Sequence, residues 1–499
     1  MKDYSAALAA AGPRYRPDAP KTLDFARLQR LSGAVAVFGV LIAPFSPDPL
    51  AAVAGGLVPW IVLHLVTTGP SFPAIVPFYL LWQWLQVYGR VFVGMVEGER
   101  MSSSIYGPWV ADAYWYMLAS VVVLALAFRF VLASGPVPPD TERAHLTWRP
   151  FDLFLVYLAA LGFSMAAGHA IGVLPAIYQQ INAVAQFKLA ALFLLFAVVL
   201  TTRRGIPFLV IAIAIEVVVG FSGLLSDFKA PFIVLALAAL AARISWSGTA
   251  SIVAGMLAAL LLVMSLFWTS IKQDYRGVAT AGVETQALQI PIGERIGYVA
   301  RQALAIGQTD WAKASHALLH RLAYVDIFGS VIAVDKEARQ QTFMQQWNEA
   351  FQHVFQPRFL FPNKAQLSDI DVYLRLTRGD ASDAIRSTTS ISVGYIAENY
   401  VDFGVPAMFA GVFVLGLLLA AVVRYVMSAP LPWMVREATA AAILYTVGGT
   451  GVELSLPKIL GTAVMFLIVY ALLIKFAYPV GLRWLDERAT RRQGRVASR

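Results

Sequence analysis

The chain has no cysteine in 499 residues and little charge, with 14% Asp, Glu, Lys and Arg. Without thiols there can be no disulfide staple, thiolate metal site or cysteine nucleophile. With so little charge it is not an ordinary soluble protein, which carries about 25% charged residues. HExxH, GxSxG, a P-loop and any Cys/His metal spacing are also missing, so a dedicated metal or nucleotide cofactor is not expected. No small-residue cleavage pattern follows the first apolar run, Leu31 to Phe45, which therefore reads as a retained helix and not as a removed signal peptide.

What is there is apolar. Hydrophobic residues make up 58% of the chain, and the mean hydropathy is +0.65. Backbone in lipid must satisfy its own hydrogen bonds, and long apolar runs do so as helices. The expected fold is an all-α polytopic membrane protein of about twelve transmembrane helices, each needing roughly 20 apolar residues. The runs fall at 31–45, 50–69, 74–95, 110–133, 151–173, 186–202, 206–224, 230–246, 249–269, 403–426, 433–451 and 457–479; the first is short, with Pro44 and Pro47 interrupting it. Twelve tryptophans and nineteen tyrosines suit the two water–lipid boundaries. Five regions follow: a polar tail (1–30), helices 1–9 (31–270), a large polar, mostly helical loop (271–402), helices 10–12 (403–480) and a basic tail (481–499).

The net charge of +9 lies mostly in the tails. Residues 1–30 carry six Lys/Arg against three acids, and residues 482–499 six Arg against two. Basic residues beside membrane helices are orientation signals on the cytoplasmic side, so the charge does not point to nucleic acid. An even number of helices puts both tails on one side, and Arg143, Arg149, Arg203, Arg204, Arg243, Arg424 and Arg436 fall on that side too. The other side receives Glu97, Glu99, Asp227 and the 271–402 loop, whose thirteen basic and fourteen acidic residues nearly cancel. The positive-inside rule then puts the loop outside the cytoplasm and both termini within it. No internal repeat is visible, which weighs against an inverted-repeat transporter.

Within the loop, apolar residues from Ile296 to Leu322 recur at helical spacing and predict two short amphipathic helices broken at Gly307. Gln340 to Val354 predicts another, with Phe343, Trp347, Phe351 and Val354 on one stripe. The stretch around Pro357, Pro362 and Gly379 reads as irregular backbone, which beside membrane helices often lines a site.

Several residues have chemical potential. Glu216 sits in the middle of a span, where a carboxylate costs several kcal/mol; it either faces a cavity or pairs with His169 or Arg90. His64 and His169 read as helix-packing hydrogen bonders. Lys229, in the turn SGLLSDFKAPF, combines a cation with a helix N-terminus and so suits an anion. Lys272 and Arg276 are four apart, on one face if the ninth helix continues outward, and repel each other unless an anion sits between them. Arg321, Arg358, Lys364, Arg375, Arg378 and Arg386 extend the basic set, and arginine offers a bidentate fork to diphosphate. Candidate bases are His320, His353, Asp369, Asp371, Glu398 and Asp402. The last two are four apart near a helix start, where carboxylates also favour the dipole as caps.

The arrangement resembles the Wzy-type polysaccharide-repeat polymerases, in the superfamily that also holds the O-antigen ligases. The matching features are about a dozen spans, one large external loop before the last helices, the SGLLSDFK turn, the KQDYR helix exit, PRFLFPNK, and GYIAENYVDFG, with its Glu-x-Tyr-x-x-Phe-Gly pattern. Ala365 stands where relatives place proline. The resemblance implies a bacterial cytoplasmic-membrane glycosyltransferase, without cofactor, whose donor and acceptor are polyprenyl-diphosphate-linked oligosaccharides and whose partners include a chain-length regulator and a flippase. Lys229, Lys272, Arg276, Arg321, Arg358 and Lys364 would hold the departing diphosphate. Glu398, His320 or Asp402 would take the acceptor proton, and Tyr275, Phe359, Phe361, Tyr373 and Tyr400 would stack on sugars. The competing readings are an O-antigen-type ligase, a lipid-linked oligosaccharide flippase and a non-catalytic envelope scaffold.

Overall fold

The computed structural model describes residues 25–67, 72–134, 147–170, 178–223, 227–244, 246–283, 288–338, 342–356, 361, 368–379, 391–449 and 451–497. Within them every regular element is helical. The first half contains α1 (Phe25–Ile42), α2 (Pro49–Thr67), α3 (Ile75–Glu97), α4 (Val110–Leu132), α5 (Pro150–Ala170), α6 (Tyr178–Ala185), α7 (Phe187–Thr202), α8 (Ile206–Ser222), α9 (Ala230–Ala241) and α10 (Gly248–Ala279). The polar segment supplies α11 (Ile292–Leu304), α12 (Trp311–Leu322), α13 (Val325–Ala338), α14 (Gln345–Phe355) and α15 (Asp369–Thr377). The chain closes with α16 (Tyr395–Phe403), α17 (Met408–Met427), α18 (Trp433–Gly448), α19 (Leu456–Leu472) and α20 (Tyr478–Ala497).

Among the described residues, eight helices are long and apolar enough to cross a membrane, or nine if the bent pair α12–α13 is one broken span. This is a multi-pass helical protein, with fewer qualifying spans than the twelve expected. Three of the expected spans are too short: α8 has 17 residues, α9 has 12 and α18 has 16, against the roughly 20 that a bilayer core asks for. α3 has 23 residues but buries Gln83, Gln86 and Arg90, so its polar stripe faces protein.

The polar segment does not stand apart from the bundle. α10 runs unbroken past the expected boundary at 270 and is about 48 Å long at 1.5 Å per residue, so it outreaches a hydrocarbon core of about 30 Å. The two amphipathic helices expected on either side of Gly307 are α11 and α12, joined through a 3-10 turn at Ile306–Gln308. α13, which no periodicity argument covered, buries Val325, Phe328, Val331 and Ile332 against the bundle. Its Asp326 accepts from Arg90 Nε of α3 at 2.7 Å, while Arg90 also meets Glu99 at 3.1 Å. Arg90 is 1% exposed, so removing both carboxylates would strand a buried charge.

The C-terminal region departs from expectation in a similar way. α19 continues through a single π-helical turn, Leu473–Ala477, into α20. The expected basic tail therefore begins as helix: Arg488 pairs with Asp152 in the first turn of α5 at 2.7 Å, and Trp148 donates to Asp486 at 2.9 Å.

α16 ties the polar segment to the spans. All side chains from Tyr395 to Asp402 are buried, and the polar ones reach four separate elements. Tyr395 donates to Gln83 of α3 (3.1 Å), Tyr400 to Asp335 of α13 (3.0 Å), and Trp347 of α14 donates to Asn399 (2.9 Å). Glu398 accepts from the Leu456 N–H that opens α19 (2.6 Å), and Asp402 accepts from Gln346 and Trp347 N–H at the start of α14 (2.9 and 3.0 Å). α16 also packs on α17, where a Cβ on Gly411 would lie 1.9 Å from Asn399 Oδ1. Asp402→Ala orphans two buried N–H groups at about 1–3 kcal/mol each. We expect a lower melting temperature in detergent, and a smaller drop for Asp402→Asn, which keeps an acceptor oxygen.

Candidate functional site

A cavity of about 380 Å³ opens where α3, α10, α12 and α18 converge on the turn before α9. Its polar wall holds Lys229 and Asp227 from that turn, Arg321 from α12, Glu453 from the 3-10 turn Gly451–Glu453, and Ser265, Thr269 and Tyr445 from α10 and α18. Trp82, Trp268, Phe228, Leu318 and Leu322 supply the apolar wall. It is an amphipathic chamber, suited to a ligand with an anionic and an apolar part.

Two of the expected diphosphate ligands line the chamber, and two more lie near one of them. Lys229 and Arg321 line the chamber. Lys272 and Arg276 lie within electrostatic reach of Arg321. They do so because α10 continues as helix to Ala279 and carries both residues on one face. Lys229 Nζ stands 5.2 Å from the centroid of the Trp82 ring, a cation–π contact that holds the ammonium without neutralising it. Trp82 Nε1 and Arg276 Nε are buried without a hydrogen-bond partner among the described residues, so two donors lack an acceptor beside the chamber.

The helix N-terminus adds less than the sequence implied. Pro231 lacks an N–H, and the Asp227 carbonyl already accepts from Ala230 at 3.1 Å. Attraction for an anion therefore rests on side chains. Asp227 accepts from Tyr445 Oη at 2.8 Å, and burial pushes its carboxyl above the usual range. Burial likewise raises Glu453, against the pull of Arg321, Lys229 and Lys272. Its Oε1 accepts from Gln86 Nε2 at 2.8 Å, and Gln86 Oε1 accepts from Val452 N–H at 2.8 Å. Gly451, at φ +82°, allows that embrace: a Cβ there would come within 1.8 Å of Gln86 Oε1.

The other expected residues lie elsewhere. Glu398 and Asp402 are spent on the helix N-termini of α19 and α14; burial pushes Glu398 up to about 8, opposed by the Leu456 N–H, and burial raises Asp402 as well. His320, one residue from Arg321, turns instead to Glu97 at 2.6 Å. Tyr275 is fully buried and donates to the Ser222 carbonyl, while Tyr400 is buried against Tyr116, Phe328 and Asp335. Neither ring has a face free for a sugar. Tyr373 is half-buried in α15. Asp369 is held by Ser455 and Lys458, and Arg378 by Glu337. His64 does meet a helix neighbour, Gln29, at 3.0 Å. Arg358, Phe359, Lys364, Arg386 and the His169 side chain lie outside the described residues, as does most of PRFLFPNK; Phe361 is exposed.

Glu216 is 3% exposed and has a partner other than the two anticipated. Lys188 Nζ of α7 lies 2.8 Å from Oε2, and Tyr157 of α5 donates to Oε1 at 3.1 Å. Glu453, Trp82, Gln86 and Tyr445 were not anticipated. The signal for Glu453 was a carboxylate in the glycine-bearing turn GTGVELS, between two apolar helices.

These features define a polytopic helical membrane protein with a cation-lined chamber beside its polar segment. The chain belongs to a family described as a domain of unknown function, DUF8712, whose model matches residues 140–426. No curated protein and no solved structure matches it.

The Lys188–Glu216 pair makes a test apart from the chamber. Glu216→Ala strands a buried ammonium and should cost about 3–5 kcal/mol. Replacing both partners, Lys188→Met with Glu216→Leu, should recover most of that loss in a thermal-shift assay.

Proposed function

We propose that this protein is an integral-membrane glycosyltransferase that joins polyprenyl-diphosphate-linked oligosaccharide repeats into a surface polysaccharide. The observation that carries the reading is an amphipathic chamber lined by Lys229 and Arg321, with Lys272 and Arg276 within electrostatic reach of Arg321. Two acids, Asp227 and Glu453, also line it, so cations outnumber carboxylates only when Lys272 and Arg276 beside Arg321 are counted. A lipid diphosphate fits this pattern: the polyprenyl chain takes the apolar wall and the phosphates take the cations.

In the reaction the acceptor hydroxyl oxygen forms a bond to the donor's anomeric carbon, and the bond from that carbon to the diphosphate oxygen breaks. The lipid diphosphate leaves with the bonding pair, and the cations stabilise the charge it gains. Arginine does so with a planar fork, lysine as a point charge. The proton of the acceptor hydroxyl needs a base in the chamber. The resemblance offers Glu398, but Glu453 lines the chamber and Glu398 does not. Burial raises the Glu453 carboxyl, which makes its carboxylate a stronger base.

In membranes supplied with a lipid-linked repeat, Lys229→Ala and Arg321→Ala should each lower polymer formation by about 10²–10³-fold, with normal amounts of protein in the membrane. Glu453→Gln should lower turnover by about 10²–10⁴-fold while the labelled lipid-linked repeat still binds. Polymer of wild-type length from both cation variants would overturn the reading. Single repeats accumulating on the cytoplasmic face of cells lacking the gene would replace it with a flippase.

A further inference from the structure

On the side of α12 that faces Glu97, three donor atoms meet that the proposed transfer reaction does not use. Glu97, the last residue of α3, directs Oε1 at His320 Nε2 (2.6 Å) and at His316 Nε2 (3.1 Å), and the two Nε2 atoms are 3.2 Å apart. The histidines are four residues apart on α12, which puts their rings on one face, with centroids 4.3 Å apart. All three donor atoms lie within 4.8 Å of one another. Glu97 reaches them from more than two hundred residues earlier in the chain.

With a hydrogen on each Nε2 both imidazoles can donate to Glu97 Oε1, but the contact between the two Nε2 atoms at 3.2 Å then holds no hydrogen bond. A cation at the centre accepts all three lone pairs together. Tetrahedral zinc holds imidazole nitrogen at about 2.0–2.1 Å, which sets neighbouring donors about 3.3 Å apart; the two nitrogens are already at that spacing.

We propose that Glu97, His316 and His320 form a site for a divalent transition-metal ion of the zinc class. Two imidazoles and one carboxylate are borderline ligands that suit zinc, cobalt or nickel, whereas calcium and magnesium prefer oxygen alone. The His316 side chain is 59% exposed and those of His320 and Glu97 about a quarter, so water has access to a fourth position. The ion clamps α12 of the polar segment to the end of α3. His320 adjoins Arg321, so the clamp also fixes the register of a cation that lines the chamber. The proposal stands on ligand geometry and does not depend on the transfer reaction.

The test uses the full-length protein, purified in detergent with no polyhistidine tag and stripped with a chelator. Titration calorimetry with Zn²⁺ should give one ion per chain, and Co²⁺ should develop the visible absorption of a tetrahedral site. His316→Ala, His320→Ala and Glu97→Ala should each weaken Zn²⁺ binding by at least about 10–100-fold, and His64→Ala should leave it unchanged. Zn²⁺ should raise the melting temperature of the stripped wild-type protein, but not that of His316→Ala, whose exposed position keeps the variant folded. The proposal fails if stripped wild-type protein takes up no Zn²⁺, if the three variants bind as the wild type does, or if Ca²⁺ and Mg²⁺ bind equally well.

Discussion

The architecture depends on a short helix with a fully buried polar face. α16 spends its carboxylates on the N–H groups that open α19 and α14, its amide on α14 again and its hydroxyls on α3 and α13. A helix N-terminus buried in protein has no water to fall back on, so each of those N–H groups must find an acceptor. A typical intramolecular hydrogen bond contributes about 0.5–1.5 kcal/mol net, and leaving a buried N–H unpaired costs about 1–3 kcal/mol. One nine-residue helix therefore sets where α14 and α19 begin, and with them how the polar segment docks onto the spans.

The chamber follows from that docking. α12 lies along α3, and the chain breaks by 54° between α12 and α13, where Tyr324 donates its N–H to the Gln86 carbonyl at 3.3 Å. Gln86 then uses its side-chain amide to hold Val452 and Glu453. A single glutamine of α3 thus connects the elbow of the polar segment with the acidic wall. The cations come from different parts of the chain: the turn before α9, the last turns of α10, and α12. None stands in the middle of a qualifying span, where a charge costs several kcal/mol.

The sequence was most legible where periodicity and charge act locally. The apolar runs, the break at Gly307 and the helical continuation that puts Lys272 beside Arg276 are all set within a dozen residues, and each is found in the structure. The nearness of Lys229, Lys272, Arg276 and Arg321 follows from the packing of the turn before α9, the end of α10 and α12. What could not be read depends on partners distant in sequence. Glu398 and Asp402 look like bases or caps of their own helix, and only the fold reveals that they cap α19 and α14. Glu216 needs a cation nearby, but which of several helices supplies it is a question of packing. The span count fell short because α8, α9 and α18 are shorter as helices than as apolar runs, and because α3 carries a buried polar stripe. α13 escaped notice because its mixed apolar and acidic pattern matches neither an interfacial helix nor a span.

The two faces of α12 illustrate how one helix divides its chemistry. Leu318, Arg321 and Leu322 point to the chamber, while His316 and His320 point to Glu97. At 100° per residue, His320 and Arg321 cannot share a face, so the imidazole that sequence reasoning offered as a base is turned from the cations by the geometry of the helix. The same geometry couples them: an axial shift of α12 that opened the histidine cluster would carry Arg321 with it, by about 1.5 Å for each residue of register. A guanidinium must meet phosphate oxygens at about 2.7–2.9 Å, so a shift of that size removes the contact. Whatever holds His316 and His320 against Glu97 also holds Arg321 where an anion in the chamber can reach it.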